Sequence, residues 1–279
     1  MTAWKKVGII AGAGALPTEL INACLKKSFP FFVIRLSAIA DETLNKFPGV
    51  DCGIGQAGKI LDSLRASNCD AVVLAGVVKR PNFSSLNLDA FGARLLPGII
   101  AAAVRGDGYI LNSLSRIIEK EGFRLIGAND ITDNLVAPTG VIGKHKPSMQ
   151  NMMDIKKGHA LISTLGKFDV GQGAIVANGY VLAVEAAEGT DNMLKRSALL
   201  PNDVSECGVL VKIPKPHQDL RIDLPTIGPE TISNAKQARL SGIAVKSHQT
   251  LIIDQLETIN LADEANIFIY GITTDGLKE

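Results

Sequence analysis

The chain has 279 residues, of which 46% are apolar and 20% charged, with a formal net charge of +1 and a mean hydropathy of +0.20. This is the composition of a globular protein of one or two domains, and it excludes a disordered chain, a collagen-like repeat and a strongly basic nucleic-acid binder. Four singly placed cysteines, Cys24, Cys52, Cys69 and Cys207, make neither a zinc ribbon nor a disulfide scaffold, so a reducing, cytoplasmic setting is expected.

The first elements alternate short apolar runs with helix-period segments. The runs VGIIA (7–11), FFVIRL (31–36), AVVLAG (71–76) and FRLIGA (123–128) are predicted strands. Between them, 18–27, 58–67, 90–104 and 108–121 repeat apolar residues at i, i+3 and i+4 and are predicted helices. Continuous apolar strands are covered on both faces, which points to a parallel sheet in an α/β layer fold. Lys5 and Lys6 before the first run mimic a signal peptide, but Gly8, Gly12, Gly14 and Pro17 break it, so it reads as a buried strand entering a glycine loop. No run reaches the ~18 apolar residues of a spanning helix.

A polar stretch with Pro138, Gly140, Gly143 and Pro147 follows, and 131–157 is the expected linker between a domain over 1–130 and another over 158–279. In the second half, GAIVANGYVLAVEA (173–186) is two alternating runs joined by Asn178-Gly179, a strong hairpin signal. GVLVKIPKP (208–216) continues the β character. A helix over 229–241 with Pro229 near its start, strands 242–246 and 250–254, a helix over 255–266 and a strand over 267–272 complete the pattern. The expected fold is therefore α/β: an N-terminal Rossmann-like parallel-sheet domain and a C-terminal α/β domain with a β-hairpin.

Charge separates the halves. Residues 1–150 carry 17 Lys/Arg against 12 Asp/Glu, a net +5, and residues 151–279 carry 12 against 16, a net −4. Such asymmetry suits either a complementary interface or an anionic ligand, with the acidic half supplying a metal site or a base.

Gly12-Ala13-Gly14-Ala15-Leu16-Pro17 stands between the first strand and first helix, where backbone N–H groups can hold a phosphate; it reads as a phosphate loop or as a tight turn. It is not a dinucleotide fingerprint, because Pro17 holds the third glycine position and the next strand ends in Arg35 and Ser37 rather than an acid. GIGQAGKI (53–60) is a second phosphate-compatible turn, and Lys79 and Arg80 follow the most apolar strand, facing a ligand or simply solvent. Glu185, Glu188 and Asp191 cluster after the hairpin as a Mg²⁺ site or an exposed acidic turn. In KPHQDLRIDLPTIGPETI (215–232), prolines fix a loop that carries Arg221 and Asp223 just before a helix, as a catalytic loop or an Asp turn. The four histidines, His145, His159, His217 and His248, lack ligand spacing and are read as structural.

GIIAGAGALP (8–17), GIGQAGKI (53–60), AGVVKRPNF (75–83), GQGAIVANGYVLAVEAAEGTDNMLKR (171–196) and KIPKPHQDLRIDLPTIGPETI (212–232) together resemble one family: the UDP-2,3-diacylglucosamine pyrophosphatases of lipid A synthesis, of the alphaproteobacterial type. The asparagine-histidine-aspartate motif of the metallophosphoesterases that do the same job elsewhere is absent. The resemblance implies a two-domain cytoplasmic enzyme that binds its lipid between the domains, requires Mg²⁺, and yields UMP and 2,3-diacylglucosamine 1-phosphate. It implies Asp223 as the essential residue; Asp223 and, from their spacing, Glu185, Glu188 and Asp191 are the candidate metal ligands. Substrate contacts are expected from Gly12, Gly14, Ala15, Lys79, Arg80, Gly173, Arg221 and Thr226. A lipid-linked UDP-sugar is the expected partner, with transient contact at the inner-membrane surface, a homodimer, and no nucleic acid. A nucleotide-dependent oxidoreductase and a non-catalytic nucleotide-sugar-binding module are the alternatives.

Overall fold

A computed structural model describes residues 4–201, 207–216 and 218–273. His217 therefore lies outside the described residues. By contact the chain forms two units, Met1–Asp133 with Arg221–Asp223, and Asn134–Leu220 with Leu224–Glu279.

The N-terminal unit runs β1 (Val7–Ala11), α1 (Leu16–Lys26), β2 (Phe31–Leu36), β3 (Gly49–Cys52), α2 (Ala57–Ala66), β4 (Ala71–Ala75), α3 (Ala90–Ala103), α4 (Asp107–Lys120), β5 (Arg124–Leu125) and α5 (Ala128–Ile131). Its five strands are all parallel, in the order β3-β2-β1-β4-β5. On the central β1, Val7, Ile9 and Ala11 share one face and are fully enclosed, while on the other face Gly8 is buried and Ile10 is partly buried against the core, which is why the sequence is continuously apolar. Burying side chains of this size stabilises the fold by about 1.5–3 kcal/mol each. Helix α1 turns Leu20, Ile21 and Cys24 inward and ends before Ser28, which takes up a left-handed conformation. One core joins Ile34, Leu36, Ile60, Leu61, Leu64, Val72, Ile118 and Phe123, and Ile222 of the 221–223 segment packs against it.

The C-terminal unit runs β6 (Gly140–Ile142), α6 (Met149–Leu165), β7 (Gly173–Ala177), β8 (Tyr180–Val184), α7 (Gly189–Ser197), β9 (Val209–Lys212), β10 (Thr226–Ile227), α8 (Pro229–Gln237), β11 (Gly242–Lys246), β12 (Leu251–Ile252), α9 (Gln255–Glu264) and β13 (Phe268–Ile272). Six strands pair in the order β6-β13-β11-β9-β7-β8, with β9, β11 and β13 parallel and β6, β7 and β8 joining antiparallel. β10 and β12 form a separate parallel pair. One face of the sheet packs on Met193, Leu194, Ile232, Ala235 and Ala262 of α7, α8 and α9. The other packs on Ile155 and Ile162 of α6.

The Asn178-Gly179 hairpin forms as the sequence predicts, with φ of 50° and 80°, the two positive values that a two-residue turn between twisted strands requires. The buried carboxylate of Asp154 accepts the N–H groups of both turn residues, at 3.0 and 2.7 Å. The stretch expected to be a linker, 131–157, instead carries β6 and the first half of α6, and both belong to the second unit. Pro138, Gly140 and Gly143 punctuate a short antiparallel edge strand there, which the sequence alone reads as loop.

Candidate functional site

In the N-terminal glycine loop, the Gly12 N–H donates to Ala75 O (2.8 Å), the Ala13 N–H donates to Val77 O (2.9 Å), and the Val77 N–H donates to Ala13 O (2.8 Å). The loop after β1 is thus laced to the loop after β4. A Cβ on Gly12 would lie 2.7 Å from Val77 O, so glycine is needed there for close backbone approach. Gly14, at φ +89°, and Ala15 are exposed, and the first turn of α1 has no side-chain cap.

Lys79 is exposed at the tip of the loop after β4. Arg80 is committed to structure: its Nη2 donates to Ala103 O (2.7 Å) at the end of α3, and its Nη1 lies 3.8 Å from Asp107 Oδ1. Arg35, singled out by the sequence as a basic residue at a strand end, donates from Nε to its cross-strand neighbour Asp51 at 2.8 Å. That hydrogen bond is the main reason the Asp51 carboxyl sits below its ordinary value. The GIGQAGKI turn already has an anion of its own: the Asp89 carboxylate accepts the Lys59 N–H (2.9 Å) at the start of α2.

In the C-terminal unit the acidic residues divide. Glu185 is buried, and its Oε2 accepts a hydrogen bond from Thr190 Oγ1 (2.8 Å), which in turn accepts one from Lys212 Nζ (2.8 Å). Gly173 passes beside it: its carbonyl accepts the Glu185 N–H (2.8 Å), and a Cβ would lie 2.6 Å from Glu185 Oε2. Glu188 is exposed and accepts from Arg196 Nε and Nη2, at 3.1 and 2.9 Å. Its own backbone N–H, then Arg196, hold its carboxyl below the ordinary value. Asp191 accepts from Asn234 Nδ2 (3.2 Å). Among the described residues, no three His, Cys, Asp or Glu side chains gather as a metal cage.

The proline loop behaves differently from the rest of its unit. Residues Arg221–Asp223 belong by contact to the N-terminal unit, where Arg221 Nη1 donates to Glu119 Oε1 at 2.7 Å and Ile222 packs on the core. Asp223 is half-buried. Beyond it, Leu251 N–H donates to Pro225 O (2.8 Å), and Thr226 opens β10 with its hydroxyl donating to Leu224 O (3.1 Å). The carboxylate is thereby flanked by anchored residues on both sides.

Family comparison covers almost all of this chain. The model of the LpxI N-terminal domain matches residues 6–135, and that of the LpxI C-terminal domain matches residues 138–270. The chain belongs to the LpxI family. It is similar to the UDP-2,3-diacylglucosamine pyrophosphatase LpxI of Caulobacter vibrioides, with 45% identity over 273 residues, 96% of this chain and 98% of the relative. The boundary between the two matched domains agrees with the structural division at Asp133 and Asn134.

The sequence passed over one set of polar residues that the structure brings together: His159 and Ser163 of α6, Lys215 and Gln218 of the proline loop, Lys246 at the end of β11, and Gln249. They lie far apart in sequence. Only the position of Lys246 at the carboxyl end of a predicted strand could have signalled them.

Proposed function

We propose that the chain hydrolyses the pyrophosphate bond of UDP-2,3-diacylglucosamine, releasing UMP and 2,3-diacylglucosamine 1-phosphate. The observation that carries this reading is end-to-end similarity, at 45% identity, to a relative named for acting on that substrate. Cleavage of a phosphoanhydride needs positioning and charge stabilisation more than covalent help from the protein. An anchored carboxylate at Asp223 supplies the first: it can orient a water or hold a cation against the diphosphate.

Mg²⁺ is proposed as the cofactor. The described residues offer no three-carboxylate cage. Mg²⁺ commonly uses one or two carboxylates, waters and the substrate's own phosphates, and a single carboxylate such as Asp223 fits that pattern. When bound, the ion would neutralise phosphate charge. Gly12, Gly14, Ala15, Lys79, Arg80, Gly173, Arg221 and Thr226 remain proposed substrate contacts, and among them Gly14, Ala15 and Lys79 are exposed.

A cytoplasmic location, a homodimer and transient contact with the inner-membrane surface are further proposals, with no role for nucleic acid. A diacylated substrate partitions into lipid, and no described helix is long and apolar enough to cross a membrane. Val104, 84% exposed at the end of α3 beside Arg105, suits a lipid surface.

The test is to incubate the purified protein with UDP-2,3-diacylglucosamine and Mg²⁺ and to follow UMP. Release of UMP that EDTA abolishes is expected, with UDP-glucose a poor substrate because it lacks the acyl chains that supply binding energy. Equal turnover of UDP-glucose would remove the lipid specificity, and EDTA-insensitive release would remove the metal.

A further inference from the structure

In the C-terminal unit, β9, β11 and β13 run parallel, so their carboxyl ends share one edge of the sheet. Ligands of open α/β sheets bind beyond that edge. A cavity of about 290 Å³ opens there, where Ile213 and Pro214 continue from β9 and Lys246 ends β11. Helix α6 lines it with His159 and Ser163. Pro214 and Pro216 form part of the wall, and their fixed backbone torsions make it stiff.

The chemistry of the lining is one-sided. Lys215 and Lys246 are present, with the Ser163 hydroxyl and the amides of Gln218 and Gln249, and no Asp or Glu lines the cavity. This stands out in a half of the chain with a net charge of −4. Lys215 is held in place by an ion pair with Asp169 (2.5 Å), and its backbone N–H donates to Gln218 Oε1 (2.8 Å), which leaves the NH₂ of that amide as its donor end. Burial, and then the charge of Lys246, hold the His159 imidazole below its ordinary value, so at neutral pH it stands uncharged beside a cation. A lining of ammonium, hydroxyl and amide donors, with the nearby Asp169 carboxylate already paired to Lys215, is complementary to a phosphoryl dianion. Its volume lies near the lower end for small-molecule sites, which suits part of a nucleotide rather than a diacylated sugar.

We propose that this cavity seats the phosphoryl group of a nucleoside monophosphate, the UMP half of the substrate and then the UMP product. This rests on the hydrolase reading for the identity of the nucleotide. The site itself rests on the cavity. The proline loop then serves twice, since its first part walls the phosphate pocket and its second part carries Asp223.

Binding can be read without turnover, from the imidazole resonances of the intact protein at pH 7, with His159→Gln identifying the His159 signal. UMP is expected to shift that signal saturably, inorganic phosphate to shift it with weaker affinity, and uridine to leave it in place. Lys246→Gln should weaken UMP about tenfold or more, the loss of one charge-assisted hydrogen bond. Ser163→Ala, on a helix surface and safe for folding, should weaken it severalfold. In turnover, Lys246→Gln should raise KM and the inhibition constant for UMP together, with a smaller change in kcat. An unmoved His159 signal, uridine acting as well as UMP, or Lys246→Gln and Ser163→Ala both binding UMP like the parent would overturn the site. If UMP binds as expected but the lipid substrate yields no UMP, the site stands and the hydrolase reading falls. If UMP is released while KM and UMP inhibition ignore Lys246→Gln, the hydrolase reading stands and the site falls.

Discussion

The carboxylate of Asp89 accepts the backbone N–H of Lys59 at 2.9 Å through one oxygen, and through the other it accepts that of Gly92 at 2.6 Å. One side chain therefore caps two helices, α2 and α3, from a position thirty residues beyond the turn that begins α2. Burial works to raise its pKa, but the backbone N–H groups of Gly92, Lys59, Gly58 and Phe91 outweigh it and hold the carboxyl below the ordinary value.

Asp89→Ala should therefore lose two caps and destabilise the N-terminal unit by about 1–3 kcal/mol, read as a lower urea midpoint at pH 7. The sign of the pH dependence follows from a lowered folded pKa. The contribution is complete above the unfolded value near ~4 and disappears as pH falls through the folded value. The gap between parent and variant should narrow below pH ~4. A gap that stays constant to pH 2 would mean the carboxylate charge plays no part.

The buried series Lys212–Thr190–Glu185 makes a second, independent expectation. Removing the carboxylate with Glu185→Ala strips the acceptor from Thr190 and leaves a buried lysine with less compensation, at a cost of about 2–4 kcal/mol. Thr190→Val should cost less, and Glu185→Leu combined with Lys212→Met should recover part of the loss. Chemical unfolding of the three variants checks this. A Glu185→Ala protein with unchanged unfolding and an altered Mg²⁺ requirement would point to metal binding instead.

What the sequence made legible was whatever depends on local pattern. β1, β2, β7, β8 and β11 fall where apolar runs or the Asn-Gly turn put them, and α1–α4, α8 and α9 begin within about two residues of the periodic segments, whereas α5, α6 and α7 fall on no predicted helix. β3 was missed because GVDC is too short and too polar to register as a run, although Asp51 within it pairs with Arg35. β6 was missed because an edge strand of three residues among Gly and Pro has no period to read. Candidate-site residues were legible where one segment carries them, as in the 215–232 loop. Partnerships across long separations were not: nothing near Lys59 announces Asp89, nothing near Glu185 announces Lys212, and His159 is 87 positions from Lys246.

Thiol chemistry gives a third expectation. All four cysteines are free, and only Cys207 is exposed. Burial pushes the Cys24 and Cys69 thiols up to about 11, and it raises Cys52 as well. Since the thiolate is the reactive form, a disulfide reagent at pH 8 should modify one thiol per native chain quickly and the rest only on unfolding. Cys207→Ser should abolish the fast phase. Two or more fast thiols in the folded protein would contradict the packing of β3 and α1 around Cys52 and Cys24.

Asp223 is the residue that turnover should spare least. Its neighbours fix its backbone: Arg221 is tied to Glu119, Ile222 is packed into an apolar core, Pro225 restricts the chain, and Thr226 is already in β10. A half-buried carboxylate on a loop adds little to packing, and on the proposed reading it orients a water or holds a cation. Asp223→Ala should therefore unfold at the same denaturant concentration as the parent, bind UDP-2,3-diacylglucosamine with a KM within a few fold, and lose ~10²-fold or more in kcat. Asp223→Asn should fall nearly as far, because the amide keeps the shape but loses the charge. Both partners of the Arg221–Glu119 ion pair are more than two-fifths exposed, so losing that pair in Arg221→Ala should cost no more than about 1 kcal/mol of stability, and any larger loss of turnover would be read as lost substrate contact or lost anchoring of Asp223. If Asp223→Ala kept near-normal kcat while Glu188→Ala abolished it, the centre of the reaction would lie on the acidic turn after β8.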